Sequence, residues 1–171
     1  MSQYFKIGKL AASFGLGGEL VLQHSLGKKT SLKGLEFIYI EELPGSFIPY
    51  FIEKTTIKSD REVFIKLEGI NTKESARKLT PKNIWLEEKD FKKFALQSAP
   101  ISLLGCKMMN GEDDLGEIIE VLEQPHQILC TIIYKEKEAL IPLHQESLLK
   151  IDKKNKIVYV DLPEGLLEIF E

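Results

Sequence analysis

The sequence predicts an all-β protein of two small domains, each a sandwich or barrel of short strands, with one short helix in the first. Three observations predict it. The dominant hydrophobic period is two, the alternation of a strand with one buried face, and not the 3.6 of a helix. Short apolar runs recur at regular spacing with turn residues between them, which implies a sandwich or barrel, and closing a barrel hides the edges that otherwise invite aggregation. Near the middle the pattern breaks: KKFALQSAP, ending at Pro100, has no period, and 171 residues suffice for two modest cores. The expected division is a first domain over residues 1–92, a linker over 93–100 and a second domain over 101–171.

In chain order, Phe5, Ile7 and Leu10 begin a first strand, Glu19 to Gln23 makes a second and Phe37 to Ile40 a third. Phe51 to Ile57 and Glu62 to Leu67 follow, joined by a hairpin through Lys58-Ser59-Asp60-Arg61. Asn71 is the expected N-cap of the one helix, with Glu74 as its capping-box partner, Ala76 and Leu79 on one face, and Pro81 as the stop. Asn83 to Leu86 is the sixth strand. In the second domain, Leu103 to Met109 is expected as a strand, Asn110-Gly111 as a tight turn, and Leu115 to Leu122 as the return. Ile128 to Tyr134, Ala139 to Pro142, Leu149 to Asp152 and Ile157 to Asp161 complete a meander. Beyond it, Leu162, Leu166 and Leu167 keep supplying groups that need burial, so the tail is tied down.

Composition narrows the classes. Hydrophobic residues are 43% and charged ones 29%, as in soluble globular proteins, and no apolar run approaches a membrane span. The opening MSQYFKIGKL has no basic segment followed by a long apolar one, so no secretory signal is expected and the cytoplasm is the expected compartment. Cys106 and Cys130 sit inside apolar runs without CxxC spacing and read as small buried hydrophobes. The net charge of −3 is unevenly spread: residues 1–35 sum to +4, 36–97 to zero, and 98–171 to −7. An acidic C-terminal half repels the phosphates of nucleic acid and steers basic proteins toward itself.

No catalytic constellation is found. Phe14-Gly15-Leu16-Gly17-Gly18 is the one glycine-rich loop, but a strand follows it where a phosphate cradle needs a helix N-terminus, so it reads as a turn. Asn110 to Asp114 lacks the EF-hand pattern, and His24, His126 and His144 are scattered surface or turn residues without metal-ligand spacing. Neither cysteine has the setting of a nucleophile. Phe37, Tyr39, Tyr50 and Phe51 have acidic company in Glu36, Glu41, Glu42 and Glu53, which favours cross-strand packing over RNA stacking.

IGKLAASFGLGGELVL resembles the start of the ribosome maturation factor RimM family, a strand, a Gly-Leu-x-Gly-Glu loop and a return strand. LEGINTKESARKLTPKNIWLEEKDF is similar to that family's strand-end glycine, short helix and following strand. LLGCKMMNGEDDLGEIIEVLEQPHQILCTII and ALIPLHQESLLKIDKKNKIVYVDLPEGLLE resemble its C-terminal PRC-barrel. The resemblance implies two β-barrels, a six-stranded N-terminal one with a short helix and the PRC-barrel. It further implies a non-enzymatic factor in late maturation of the small (30S) subunit head and 16S rRNA processing, which binds a basic ribosomal protein of that head. No cofactor, metal or membrane is implied, and the protein is expected as a monomer.

On this resemblance the expected partner-binding residues are Phe14, Gly15, Leu16, Gly18 and Glu19 of the loop. The family commonly carries adjacent aromatics before its second barrel; residues 98–102 have none, and Phe91 and Phe94 stand upstream in their place. Lys6, Lys9, Lys28, Lys29 and Lys33, which supply the +4, are expected to face rRNA or the 30S precursor. Two rivals stay open: a small flavin-type β-barrel enzyme, and a PRC-barrel adaptor with no ribosomal link.

Overall fold

Alternation of buried and exposed side chains carries the first unit of the chain into six strands: β1 (Tyr4–Phe14), β2 (Glu19–His24), β3 (Phe37–Leu43), β4 (Ser46–Ile57), β5 (Glu62–Leu67) and β6 (Asn83–Glu87). The structure is a computed structural model and describes residues 3–96 and 99–171. The chain divides into two units, one running to Ala99 and the other from Pro100.

The six strands close into a barrel in the order β1-β2-β5-β4-β3-β6. Closure is made by β6, which pairs antiparallel with β1 from Tyr4↔Glu87 to Lys9↔Asn83 and with β3 at Tyr39↔Trp85 and Ile40↔Ile84. Inside, Ile7, Leu10, Leu20, Leu22, Ile38, Ile40, Val63, Ile65, Leu67, Ile84 and Leu86 are fully buried. Each contributes about 1.5–3 kcal/mol of apolar burial. β1 is bent by register shifts between Lys6 and Gly8 and between Leu10 and Ala12, the curvature a small barrel needs. At the first of these a side chain is impossible: a Cβ on Gly8 would stand 1.9 Å from the carbonyl oxygen of Gln23.

Helix α1 (Lys73–Arg77) starts one residue later than expected, and its cap is Thr72. The Thr72 hydroxyl accepts the Ser75 N–H at 3.1 Å, and the Thr72 N–H donates to Ser75 Oγ at 3.3 Å, so Ser75 takes the role assigned to Glu74. Asn71 instead accepts the Lys66 ammonium at 3.0 Å. Ala76 and Leu79 are both buried.

A second helix, α2 (Glu88–Phe94), has no counterpart in the sequence reading, because seven residues are too few to establish a helical period. It buries Phe91 and Phe94, three residues apart, and Phe91 packs on Phe5 at 4.7 Å between ring centroids. Of the stretch 93–100, Lys93 and Phe94 therefore belong to α2, while Ala95 and Ala99 are buried. Gln97 and Ser98 lie outside the described residues.

The second unit contains β7 (Lys107–Asn110), β8 (Asp113–Gln124), β9 (Gln127–Tyr134), β10 (Lys137–Leu143), β11 (Leu148–Asp152) and β12 (Ile157–Val160). They form one six-stranded sheet in the order β10-β9-β8-β7-β12-β11, with β12 and β7 parallel. The strand expected from Leu103 begins only at Lys107. Before it, Pro100–Leu103 is a 3-10 turn, continued by bonds from the Leu104 N–H to Ile101 O at 3.1 Å and from the Cys106 N–H to Leu103 O at 3.0 Å. Met108, Ile118, Cys130, Ile132, Ala139, Ile141, Leu143, Val158 and Val160 form its core.

The tail is held at both ends. The Leu162 N–H donates to Asn110 Oδ1 at 3.2 Å, and the closing 3-10 turn, Leu167–Phe170, packs on β10. Glu171 accepts hydrogen bonds from Lys135 and Tyr134. Deleting residues 162–171 is expected to unfold the second unit and leave the first intact, seen as loss of amide protection confined to 100–161. A truncated chain with full protection throughout would make the tail an appendage.

Candidate partner-binding surfaces

The β1–β2 hairpin ends in an apolar tip. Gly15 and Gly18 have φ of +69° and +92°, the left-handed region that glycine enters without strain. Between them Leu16 is 82% exposed, and Phe14 is half exposed with its ring on Phe64 at 4.5 Å. Gly18 is buried against the connection between β5 and α1, where a Cβ would stand 2.2 Å from Ile70 O. Glu19 pairs with Phe14 in the ladder and is half-buried. Four of the five expected loop residues thus build the tip or its foot, and Leu16 is the one wholly presented to solvent.

Phe91 and Phe94, expected at a partner contact, are core residues: 6% exposed each, they hold α2 to the barrel. The five lysines do not converge. Lys6 lies on β1 opposite Trp85, and Lys9 is on the same strand opposite Asn83. Lys28, Lys29 and Lys33 are exposed together on the β2–β3 loop.

Closure of the barrel also assembles a row of aromatics on its outer face. Tyr4, Tyr39, Phe47, Trp85, Phe37 and Phe51 come from β1, β3, β4 and β6 and touch in sequence. Tyr4 lies 4.7 Å from Tyr39 and 4.6 Å from Phe47, Phe47 lies 4.9 Å from Trp85, and Phe37 bridges Tyr39 at 5.3 Å and Phe51 at 5.6 Å. The i, i+2 spacing of Phe37/Tyr39 and the i, i+4 spacing of Phe47/Phe51 about Pro49 were the available signal; which strands lie side by side was not. Tyr39 donates to Glu87 Oε1 at 2.8 Å, and burial followed by that bond pushes its phenol far above the usual range. Tyr50, donating to Glu42 at 2.7 Å, is raised to about 12, chiefly by burial. Hydrogen bonds from Lys82 and then Tyr50 hold the Glu42 carboxyl below its ordinary value.

His24, expected at the surface, is 2% exposed on the inner side of β2. Its Nδ1 accepts the Leu26 N–H at 3.2 Å, and Nε2 is buried without a partner among the described residues. Burial first, and the Arg61 charge second, lower its pKa, so the imidazole is neutral at pH 7.

In the second unit the outer face of β8, β9 and β10 carries apolar rows. Leu122, Leu129 and Pro142 stand in one row, Glu120, Thr131 and Leu140 in the next, and Ile133 opposite Glu138 in a third. Leu122, Ile133 and Leu140 are each more than 40% exposed. Cys106 and Cys130 are buried thiols raised by burial, Cys130 to about 12. Among the described residues no group of three or more His, Cys, Asp or Glu could hold a metal ion. No helix among them is long and apolar enough to cross a membrane.

A closed barrel with an apolar tip and an aromatic wall, joined to a β-sheet unit with an apolar, acid-bearing face, defines a class of protein that offers surfaces for other macromolecules. Two family models match. The RimM N-terminal domain covers residues 5–91 and the RimM PRC barrel domain covers residues 100–166. Ribosome maturation factor RimM of Phocaeicola vulgatus is 31% identical over 96% of this chain and 97% of its own length. That of Parabacteroides distasonis is 32% identical over 98% and 97% respectively. A solved structure from Pseudomonas aeruginosa, described as a 16S ribosomal RNA processing protein RimM, covers 94% of this chain and 98% of its own at 19% identity, with a TM-score of 0.43. The chain belongs to the ribosome maturation factor RimM family, and its second unit is the PRC-barrel domain of that family.

Gly18→Ala is expected to cost about 2 kcal/mol or more, because the new methyl group meets the Ile70 carbonyl at a strained φ. Denaturant unfolding measures it, and an unchanged midpoint would show the hairpin foot to be adaptable. A second expectation concerns pH. The unfolded chain protonates His24 near 6.5 while the folded chain resists, so its contribution is fully present above pH 6.5 and is lost as pH falls below it. His24→Asn, which keeps an acceptor for the Leu26 N–H, is expected to flatten that part of the melting-temperature profile; a parallel profile refutes the assignment.

Proposed function

We propose that this protein aids late maturation of the small (30S) subunit head, and with it 16S rRNA processing, by binding a basic ribosomal protein of that head. The observation that carries the reading is the outer face of β8, β9 and β10. Leu122, Leu129, Leu140, Pro142 and Ile133 supply the apolar area that interface cores are made of. Glu120 and Glu138 lie within it, in a half of the chain whose charge sums to −7. Such a surface attracts a cationic partner from a distance and rejects an anionic one, so its charge sets encounter rate and selectivity while its apolar rows set residence time.

The factor acts in the cytoplasm as a monomer, without cofactor or catalytic step. By covering a ribosomal protein's surface it keeps that surface from premature contacts, and it departs when the folded head rRNA competes for the same groups. The apolar tip at Phe14, Gly15, Leu16, Gly18 and Glu19 supplies a second contact on the precursor. The lysines of the first unit, Lys6, Lys9, Lys28, Lys29 and Lys33, face rRNA.

The test is binding of purified small-subunit head proteins across a salt series, with co-sedimentation on immature 30S particles. A basic head protein is expected to bind, its association slowing as salt rises. Leu122→Ser with Leu140→Ser is expected to weaken it on the order of tenfold without loss of stability, both side chains being exposed. A chain that stays at the top of a low-salt gradient and captures no head protein would favour a PRC-barrel adaptor with no ribosomal link.

A further inference from the structure

Beside α2 the first unit has a surface pocket of about 330 Å³ lined by Gly34, Glu36, Phe37, Lys89, Asp90 and Lys93. That is the low end of the range of small-ligand sites, roughly 300–1,000 Å³. The β2–β3 loop runs along the same helix. The Leu96 N–H donates to Leu26 O at 2.8 Å, and a Cβ on Gly34 would stand 3.3 Å from Lys93 Nζ. Gly27 likewise stands against Leu96 and Ala99, so the loop that carries Lys28, Lys29 and Lys33 neighbours the segment that carries Lys89, Lys92 and Lys93. The acids of these two segments are Glu36, Glu87, Glu88 and Asp90. Two of these acids are engaged: Glu88 pairs with Lys92 at 3.0 Å, and Glu87 accepts the Tyr39 hydroxyl at 2.8 Å and lies 4.0 Å from Lys89. Glu36 and Asp90 line the pocket. Phe37 forms part of its wall and meets Phe51, which is 52% exposed, edge-on.

The three kinds of group match the three parts of a nucleotide. Cations on flexible stems suit phosphates, an aromatic wall suits the face of a base, and carboxylates accept hydrogen bonds from base N–H groups. Carboxylates also choose among bases. Guanine alone presents two adjacent donors, N1–H and the N2 amino group, on its Watson–Crick edge; in adenine, cytosine and uracil each donor on that edge has an acceptor beside it that a carboxylate repels. That edge is free only in an unpaired base. Lys28, Lys29 and Lys33 extend the positive region beyond one nucleotide, which fits a strand better than a mononucleotide.

We propose that this pocket takes an unpaired guanine of single-stranded RNA, its ring against Phe37, its donor edge on Glu36 and Asp90, and the neighbouring phosphates on Lys89, Lys93 and the loop lysines. The inference deepens the assignment of those loop lysines to rRNA and rests on that reading for the source of the RNA.

The test is fluorescence anisotropy of the full chain with a short labelled oligouridylate and the same RNA bearing one central guanosine. The guanosine RNA is expected to bind about tenfold tighter. Lys89→Ala with Lys93→Ala should weaken both RNAs and lower the salt dependence, as should Lys28→Ala with Lys33→Ala on the exposed loop. Glu36→Gln with Asp90→Asn should abolish the preference while leaving the uridine RNA bound at least as well. Unchanged melting curves establish that each variant folds. Equal binding of the two RNAs overturns the proposal, as does indifference to both lysine pairs, or free GMP binding as tightly as the RNA. So does capture of a head protein that depends on Lys89 and Lys93 while RNA does not bind. Failure here with salt-dependent capture of a head protein intact removes this site alone; failure of both removes the assembly reading as well.

Discussion

Pairing of β6 with both β1 and β3 is the interaction on which the first unit depends. Without it the sheet would leave two open edges, and the fully buried Ile84 and Leu86 would lose their place between Ile7 and Ile40. The closure asks much of a five-residue strand, and neighbouring features serve it. Gly8 admits the Gln23 carbonyl where β1 bends, and α2, following β6 directly, is fastened by Phe91 on Phe5. Loop chemistry depends on the same closure. The β2–β3 loop and α2 reach one another only because the strands they leave lie on the same barrel.

Closure also explains why this unit tolerates so many aromatics outside its core. Each outward ring is flanked by another across the strand boundary, so area that would be exposed on a lone strand is shared, and pairs at 4.6–5.6 Å add stabilisation beyond burial. The Tyr39–Glu87 bond ties two of the strands through polar groups on the same face. The exposed remainder, Phe51 above all, is linked edge-on through Phe37 to the pocket that Lys89 and Lys93 line.

The legible parts of the sequence were those with repetition. Six strands per unit follow from period-two runs, and the acidic second half follows from counting. What escaped depends on three-dimensional neighbours. α2 is too short to show a period, and its phenylalanines, three apart, look alike whether they face a core or a partner. The cap fell on Thr72 and not Asn71, because Lys66, from a strand five residues upstream, claims the asparagine oxygen. His24 is followed by polar Ser25 and looked exposed, but alternation from Leu20 and Leu22 puts it inside. The pocket of Glu36, Phe37, Lys89, Asp90 and Lys93 joins segments some fifty residues apart, so no count along the chain brings those groups together.

The second unit solves the edge problem differently, and the solution bears on what it can bind. Its sheet ends in β10 and β11. Pro142 removes a donor from β10, and the tail turn packs along that strand. β11 is five residues long, carries Lys150, and is followed by the charged turn Lys153-Lys154-Asn155-Lys156. These devices discourage strand-to-strand addition by another copy. The apolar rows of β8, β9 and β10 must therefore be reached through their face, where Glu120 and Glu138 stand among Leu122, Leu140 and Ile133. Two copies meeting there would bring those carboxylates together at a desolvated contact, a cost that a cationic partner converts into attraction. The charge that keeps the face from pairing with itself is the charge that selects a basic protein.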